Sequence, residues 1–247
     1  MKLFGKILTI FVVAASAMAI LGGAALIAVF RYDYMVGQQV YENLTQEIVE
    51  QGTGSEPSVP VENPEIDFDA LREINPDIAA WIRIPDTKID YPVVWRENDN
   101  DFYLSHLFDG TPNRSGCIFM DTRCNLKDSH VLIHGHNMGN GTMFRDLNLF
   151  KNPQFLLEHP VFYLFTPDEV FTVEIFAGSI VRIDSTVWQL DFSGREDIEQ
   201  WQSYCMDNAS VRTGIRPNAD DVVITLSTCT YEYRQARWIL QGVIHPA

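Results

Sequence analysis

Hydrophobic and polar residues alternate in short blocks along most of this chain, and the blocks predict β-strands. Runs rich in β-branched and aromatic residues occupy positions 81–84, 89–95, 116–121, 130–134, 161–165, 170–183, 222–229 and 238–244. Polar or turn-forming segments separate these runs, and strands and helices do not alternate regularly. The pattern therefore predicts a mostly β fold, a largely antiparallel barrel of about eight strands with short helices.

Three segments outside the predicted strands have helical patterning. Positions 194–209 carry Ile198, Trp201, Gln202 and Cys205 at helical spacing, and acidic residues occupy the first turn. This predicts a helix shortly before the strand that ends at Cys229. Positions 69–80 and 142–150 predict shorter helical regions, the first of them interrupted by a proline.

A long uncharged run near the N-terminus predicts a membrane helix. Positions 7–30 are 24 consecutive residues without a charge, which is long enough to cross a hydrocarbon core of about 30 Å. Lys2 and Lys6 precede the run, so the positive-inside rule places residues 1–6 in the cytoplasm and the rest outside the cell. A cleavable signal peptide is the alternative, since small residues at 15–19 resemble cleavage sites. Cleavage there would leave an exposed apolar tail up to Phe30, which favours an uncleaved, single-pass anchor.

The remaining chain divides into a connecting region and one folded domain. Positions 32–51 have the apolar spacing of an amphipathic helix, and positions 52–64 are a linker rich in Gly, Pro, Ser and Glu. The linker is interpreted as a spacer between the membrane and the folded body. The predicted division is a cytoplasmic terminus at 1–6, an anchor at 7–30, a helix and linker at 31–66, and a catalytic domain at 67–247.

Composition excludes some classes of function. The net charge of −15 disfavours binding to a nucleic-acid backbone, because like charges repel. The four cysteines show neither a Cys-x-x-Cys motif nor a metal-ligand spacing, so no zinc site is predicted. A disulfide framework is not expected in a chain of this size, although a single bridge remains open. No cofactor is implied, and no clustered carboxylates suggest a calcium site.

Cys229 is the first candidate for chemistry. It ends a predicted buried strand, and Arg237 stands at the start of the next one. A hairpin of these strands would bring the thiol and the guanidinium to the same edge of a sheet. A thiol beside a fixed cation is a plausible nucleophile, whereas a cysteine considered alone is more often a small buried hydrophobe.

The segment 134–144 is the second candidate. His134 and His136 flank a glycine at the end of a predicted strand, followed by a loop rich in Gly and Asn. Each histidine could be a structural residue, a metal ligand or the partner of a nucleophile. The metal hypothesis lacks a third ligand at a recognisable spacing, while the nucleophile hypothesis has Cys229 available.

Together these residues resemble the His/Cys/Arg triad of the sortase family. His136 lies in Gly-His-Asn-Met, Cys229 ends Thr-Leu-Ser-Thr-Cys, and Arg237 opens the last strand. Segments 71–84, 89–94 and 116–121 also resemble sortase core segments, so the likeness covers about 67–244. The motif at the cysteine and the acidic, tryptophan-bearing helix at 194–209 resemble class B. His134 and Cys117 depart from that class, which often has an aromatic and a small residue there.

The resemblance implies a membrane-anchored cysteine transpeptidase. Such an enzyme cleaves a C-terminal sorting signal after threonine and joins the surface protein to a peptidoglycan amine. Cys229 would be the nucleophile, His136 the general acid and base, and Arg237 the donor to the substrate carbonyl. Arg234 competes for the arginine role but lies within the loop.

The resemblance also implies a set of peptide-binding residues, and two other functions remain open. The expected groove residues are Ser227, Thr230, His134, Asn100 and Leu104, each of which could instead have an ordinary packing or loop role. A cysteine peptidase that only hydrolyses would use the same catalytic residues. A non-catalytic peptide-binding module at the cell surface would not need the thiol.

Overall fold

The computed structural model describes residues 2–46 and 66–247. These ranges contain four α-helices and nine β-strands, with 3-10 helices at Phe102–Leu104, Phe144–Lys151 and Thr186–Trp188. The helices are α1 (Lys2–Leu44), α2 (Phe68–Ile74), α3 (Pro153–Glu158) and α4 (Arg195–Asp207). The strands are β1 (Ile78–Arg83), β2 (Asp90–Val94), β3 (Ile118–Met120), β4 (His130–His134), β5 (Val161–Phe165), β6 (Val170–Arg182), β7 (Val211–Arg212), β8 (Val223–Cys229) and β9 (Ala236–Pro246).

Eight of the strands close into a barrel, which confirms the predicted fold class. The order is β5-β1-β2-β3-β4-β8-β9-β6, and β6 pairs again with β5 to complete the circle. The short β7 adds to β6 outside this circuit. Six of the eight pairings are antiparallel, while β2–β3 and β4–β8 are parallel. Closure leaves few strand edges unpaired, which removes sites for association through exposed backbone.

Neighbouring residues on β8 and β9 enter two different hydrophobic clusters. Ile224 and Leu240 belong to the larger cluster, whereas Val223 and Ile239 belong to a smaller one that also contains Trp201 of α4. Successive side chains of a strand point to opposite faces of the sheet. Helix α4 therefore packs on the other face of these strands, so both of their faces are buried.

The predicted helix at 194–209 is confirmed as α4. Its four predicted inward positions, Ile198, Trp201, Gln202 and Cys205, are the buried residues of the helix. Glu196 and Asp197 lie in the first turn, where negative charge interacts favourably with the helix dipole. The 3.6-residue periodicity was sufficient to predict the buried residues of α4, because a single face of this helix is covered by the barrel.

Two other helical predictions were only partly right. Helix α2 ends at Ile74, and positions 78–80 already belong to β1, where Ala80 pairs with Val93. Pairing with β2 outweighs the local helical tendency of this segment. The region predicted at 142–150 is a 3-10 helix, Phe144–Lys151, which α3 follows.

Helix α1 is the apolar N-terminal helix. Its part Phe11–Leu44 includes an 18-residue window of mean hydropathy 2.3, sufficient for a membrane span or a signal sequence. Tyr41 and Leu44 are buried in the larger core cluster, so the end of α1 packs on the barrel. The linker at 52–64 and the helix end at 47–51 lie outside the described residues.

Candidate active site

Parallel pairing of β4 with β8 brings His136 to Cys229. His134 is in register with Ser227, and the Gly135 N–H donates to the Ser227 carbonyl at 3.0 Å. Parallel strands run in the same direction, so two further residues along each chain lead to His136 and Cys229 at the same edge of the barrel. Sequence patterning had placed both residues at strand ends without showing that these strands are neighbours.

The hairpin prediction for Cys229 and Arg237 is confirmed. Strands β8 and β9 are antiparallel, and Cys229 is the direct register partner of Arg237. Side chains of directly opposite residues lie on the same face of the sheet. The thiol and the guanidinium therefore share one side of the barrel edge.

A cavity of about 400 Å³ contains all three residues. Seven sequence-predicted residues line it, namely Cys229, His136, Arg237, Ser227, His134, Asn100 and Leu104. Other lining residues that the sequence had not indicated include Asp101, Arg123, Ile183 and Trp188. Neither Thr230 nor Arg234 is among the lining residues, and Arg234 is exposed on the loop. This placement favours Arg237 over Arg234 for contact with a substrate.

The His136 ring is held through one of its nitrogens. Nε2 lies 2.8 Å from the Leu104 carbonyl oxygen, which can only accept a hydrogen bond. Nε2 therefore carries a hydrogen and donates it to this carbonyl, which leaves Nδ1 without that contact. The hydrogen bond fixes the orientation of the ring.

Cys229 differs from the other three cysteines in exposure. Cys117, Cys124 and Cys205 are buried, whereas Cys229 is partly exposed and lines the cavity. Burial raises the pKa of Cys117 and of Cys205 to about 12 and that of Cys124 to about 11. These three thiols stay protonated at neutral pH and are poor nucleophiles. All four cysteines are free, so no disulfide links them.

Asp121 forms a hydrogen-bonded cluster with Arg123 and His134, two residues that line the cavity. Arg123 donates to both carboxylate oxygens of Asp121 at 2.9 Å, and His134 Nε2 lies 3.4 Å from the same group. Burial alone would raise the pKa of Asp121, but hydrogen bonds from His134 and Arg123 hold it well below its usual range. Asp121 therefore stays ionised and holds the side chains of Arg123 and His134 in place at the cavity. Its position directly after β3 was the available sequence signal.

Thr230 is engaged away from the cavity. Lys151 Nζ donates to Thr230 Oγ1 at 2.8 Å and to Glu232 at 2.6 Å, and the Thr230 hydroxyl also donates to Glu232. The hydrogen bonds from Lys151 and Thr230 lower the pKa of Glu232 to about 2. This cluster joins the loop between Cys229 and Arg237 to the 3-10 helix at Phe144–Lys151.

Asn137 follows His136 in the Gly-His-Asn-Met motif and contacts the cysteine strand, a role that no sequence pattern predicted. Its Nδ2 donates to the Cys229 carbonyl at 2.7 Å, and its Oδ1 accepts from Arg145 at 3.1 Å. The Thr228 hydroxyl adds a second link by donating to the Gly135 carbonyl at 2.8 Å. These bonds fasten the histidine loop to the nucleophile strand.

Three further histidines lie apart from the cavity in separate settings. His106 stacks on Phe102, His159 lies 3.2 Å from Asp86, and His245 lies 3.6 Å from Glu174. Across residues 2–46 and 66–247, no three His, Cys, Asp or Glu side chains are grouped as metal ligands would be.

The sequence and the fold both match proteins of known family. The Sortase domain family model matches residues 82–245. Sortase B of Listeria monocytogenes is 34% identical over 176 residues, which covers 70% of this chain and 71% of the relative. The structure of Clostridium perfringens sortase B superposes with a TM-score of 0.69 at 34% identity, covering 72% of this chain and all of the other. A Bacillus anthracis sortase B, solved in complex with AAEK1, superposes with a TM-score of 0.75 at 29% identity and covers 87% of this chain and 99% of its own.

Proposed function

Since the chain belongs to class B of the sortase family, we propose that the cavity is the active site of a transpeptidase with Cys229 as its nucleophile. Sortases are cysteine transpeptidases, so the general reaction follows from membership of the family. The observation that supports the residue assignment is the meeting of Cys229, His136 and Arg237 in one cavity. Among the described cysteines, Cys229 is also the partly exposed one.

In the first step the Cys229 thiolate attacks the carbonyl carbon of the threonine in the sorting signal. A C–S bond forms, the C–N bond breaks, and the signal's remaining C-terminal part leaves as an amine. His136, charged at this stage, gives the proton that the leaving nitrogen takes. The Leu104 carbonyl fixes Nε2, so Nδ1 supplies that proton.

Arg237 stabilises the charge that develops on the carbonyl oxygen. The guanidinium remains charged at any physiological pH and donates in a fixed planar geometry. Its position opposite Cys229 on β9 keeps the donor and the sulfur on one face of a rigid ladder. Donors fixed in advance in this way stabilise an oxyanion without reorganisation during the reaction.

In the second step an amine attacks the thioacyl carbon. The C–S bond breaks, Cys229 leaves as a thiolate, and neutral His136 accepts the proton that the new amide nitrogen loses. The charged imidazole and the thiolate are thereby restored. The acceptor proposed here is an amine of peptidoglycan or its precursor, which links the surface protein to the cell wall.

The peptide groove is proposed to use the cavity walls around this centre. Ser227 precedes Cys229 by two residues on β8 and lies on the same face of that strand. Asn100, Leu104 and His134 line the same cavity and are proposed contacts for the signal. Thr230 lies outside the lining, so a role in substrate binding would require its cluster with Lys151 to open.

We place the catalytic barrel outside the cell, with α1 as a single-pass anchor. The apolar length of α1 and the lysines that precede its uncharged run support this orientation. An extracellular barrel would meet secreted proteins that carry a sorting signal and the wall amines that accept them. The division of the chain into terminus, anchor, connecting segment and catalytic domain remains part of the proposal.

The proposal is tested with the full chain in detergent micelles. Fluorogenic peptides of the pattern Asn/Ser/Pro-Pro-x-Thr are incubated with and without an added amine, and mass spectrometry follows the adduct at Cys229. We expect a thioacyl adduct and an amine-ligated product, both absent from Cys229→Ala. Hydrolysis without any ligated product would indicate a peptidase, and absence of both cleavage and adduct would indicate a non-catalytic module.

A further inference from the structure

The end of the anchor helix lies along the segment that leads into β3. Asn113 Nδ2 donates to the Asp33 carbonyl at 2.9 Å, which ties that segment to α1. Gly37 lies so close to Ser115 that a Cβ at this glycine would be 2.8 Å from Ser115 Oγ. The backbone of α1 at Gly37 therefore lies in direct contact with Ser115 of this segment.

Tyr41 of α1 contacts the same segment at Gly116. The Tyr41 hydroxyl donates to the Gly116 carbonyl at 2.6 Å, and the Tyr41 side chain is buried. Gly116 has a φ of +61°, a conformation that other residues rarely adopt. A Cβ at this position would lie 2.4 Å from the Tyr103 carbonyl oxygen and 3.1 Å from Cδ2 of His136. The His136 ring thus lies against a backbone that Tyr41 holds.

Tyr41 reaches the other side of the histidine loop through a second aromatic residue. Its ring packs edge-on against Tyr91 with centroids 5.2 Å apart, and the Tyr91 hydroxyl accepts from the Met143 N–H at 3.1 Å. Met143 has a φ of 58° and pairs with Asn137 in an isolated β-bridge. The next N–H, that of Phe144, donates to the His136 carbonyl at 2.9 Å. Both supports of His136 therefore meet at one side chain of α1.

We propose that Tyr41 is a positioning residue, through which the C-terminal end of α1 sets the catalytic geometry of His136. This inference rests on the proposed role of His136 as the acid that protonates the leaving amine. Loss of the hydroxyl would release the Gly116 carbonyl, and the ring that lies against Gly116 would move relative to Cys229. Proton delivery to the leaving nitrogen would slow, whereas attack by the thiolate and binding of the peptide would change less.

The test compares two substrates that differ only in the leaving group. In the peptide the C–N bond breaks and the leaving amine needs a proton from His136. In a thioester of the same acyl group the C–S bond breaks, and the thiolate leaves without a proton. Single-turnover acylation of Cys229 is followed by mass spectrometry for the full chain in micelles. Tyr41→Phe keeps the ring packing, and Tyr34→Phe on the same helix is the matched control.

We expect Tyr41→Phe to acylate about three- to tenfold more slowly with the peptide, the range of one lost hydrogen bond. With the thioester it should acylate at the rate of the unaltered chain, and Tyr34→Phe should match that chain on both substrates. Equal losses on both substrates, or no loss on either, would overturn the positioning role.

Two further measurements distinguish loss of the positioning role from two other causes. These causes are a variant that does not fold and a chain that is not a transpeptidase. Thermal unfolding of each variant shows whether the compared proteins are folded. If the unaltered chain acylates with neither substrate, the transpeptidase proposal fails before Tyr41 is tested. If it acylates and Tyr41→Phe behaves like Tyr34→Phe, only the positioning role fails.

Discussion

Cys229 on β8 and Arg237 on β9 are direct register partners, and both line the same cavity. The backbone hydrogen bonds of the hairpin set their relative position. Seven residues separate them in sequence, and positions 231–235 of that connection are exposed. The exposed loop can therefore vary in sequence while the sulfur and the guanidinium keep their relation.

The first prediction concerns the arginine. Arg237→Ala should lower kcat/KM about 10²-fold or more, because a preorganised donor to the oxyanion is lost. Arg237→Lys should recover only part of the activity, since an ammonium lacks the planar fork. Arg234→Ala is the matched control and should stay close to the unaltered chain. Steady-state cleavage of a sorting-signal peptide measures all three, and the reverse ranking of Arg234 and Arg237 would refute the assignment.

The second prediction concerns thiol reactivity. Iodoacetamide at neutral pH should modify Cys229 and leave Cys117, Cys124 and Cys205 unmodified, because burial raises the pKa of those three. Peptide mapping by mass spectrometry identifies the alkylated residue. Cys229→Ala should take up no reagent until denaturant is added. Labelling of a buried cysteine in the folded chain would contradict the structure.

The third prediction concerns the glycine between the two histidines. A Cβ at Gly135 would lie 2.4 Å from Ile118 Cδ1 and 2.7 Å from the Phe144 ring. Gly135→Ala should therefore destabilise the fold by about 1–3 kcal/mol, as overpacking does, and displace the histidine loop. Gly139→Ala is the control in the same loop, because nothing lies within 4 Å of its added Cβ. Urea unfolding compares the two variants, and equal stability would count against the packing described.

The fourth prediction concerns acid stability and His130. Burial lowers the pKa of His130 to about 4 from its ordinary 6.5, so the folded chain holds this ring neutral between Gln189 and Thr225. The unfolded state binds the proton more readily, so the stabilisation is complete above pH 6.5 and declines as the pH falls towards 4. The loss amounts to about 3 kcal/mol for a shift of this size.

Urea unfolding from pH 7.5 to 4.5 measures this dependence. His130→Gln cannot titrate, so its unfolding free energy should vary less with pH than that of the unaltered chain. The comparison uses the slope of the unfolding free energy against pH and not the absolute stability at pH 7.5. The same slope in both proteins would show that other groups cause the acid sensitivity.

The fifth prediction asks whether Thr230 acts through its loop or on the substrate. Thr230→Val and Lys151→Met each remove a bond of the cluster that holds the loop after Cys229. If the cluster only holds the loop, their effects on kcat/KM should be non-additive in a double-mutant cycle. Additive losses, with the Thr230 effect confined to KM, would support direct contact with the peptide.

Local sequence patterns were sufficient to predict the barrel strands, helix α4 and the part of the site that contains Cys229 and Arg237. Period-two blocks predicted the barrel strands, helical spacing predicted the buried face of α4, and a short polar connection predicted the Cys229–Arg237 hairpin. Each of these features depends on residues close together in the chain. The motifs around His136 and Cys229 also indicated the family, because such motifs are defined by residue types and by their order in the chain.

Tertiary structure decided the remainder. The parallel pairing of β4 with β8 joins His136 to Cys229, and the Asn137–Cys229 hydrogen bond spans 92 positions. Contacts at such separations leave no periodic signal, since they depend on which strands become neighbours when the barrel closes. The same holds for Tyr41, 75 positions before Gly116: apolar spacing predicted that its helix would bury one face, and only the folded chain showed that Tyr41 on this face hydrogen-bonds to Gly116.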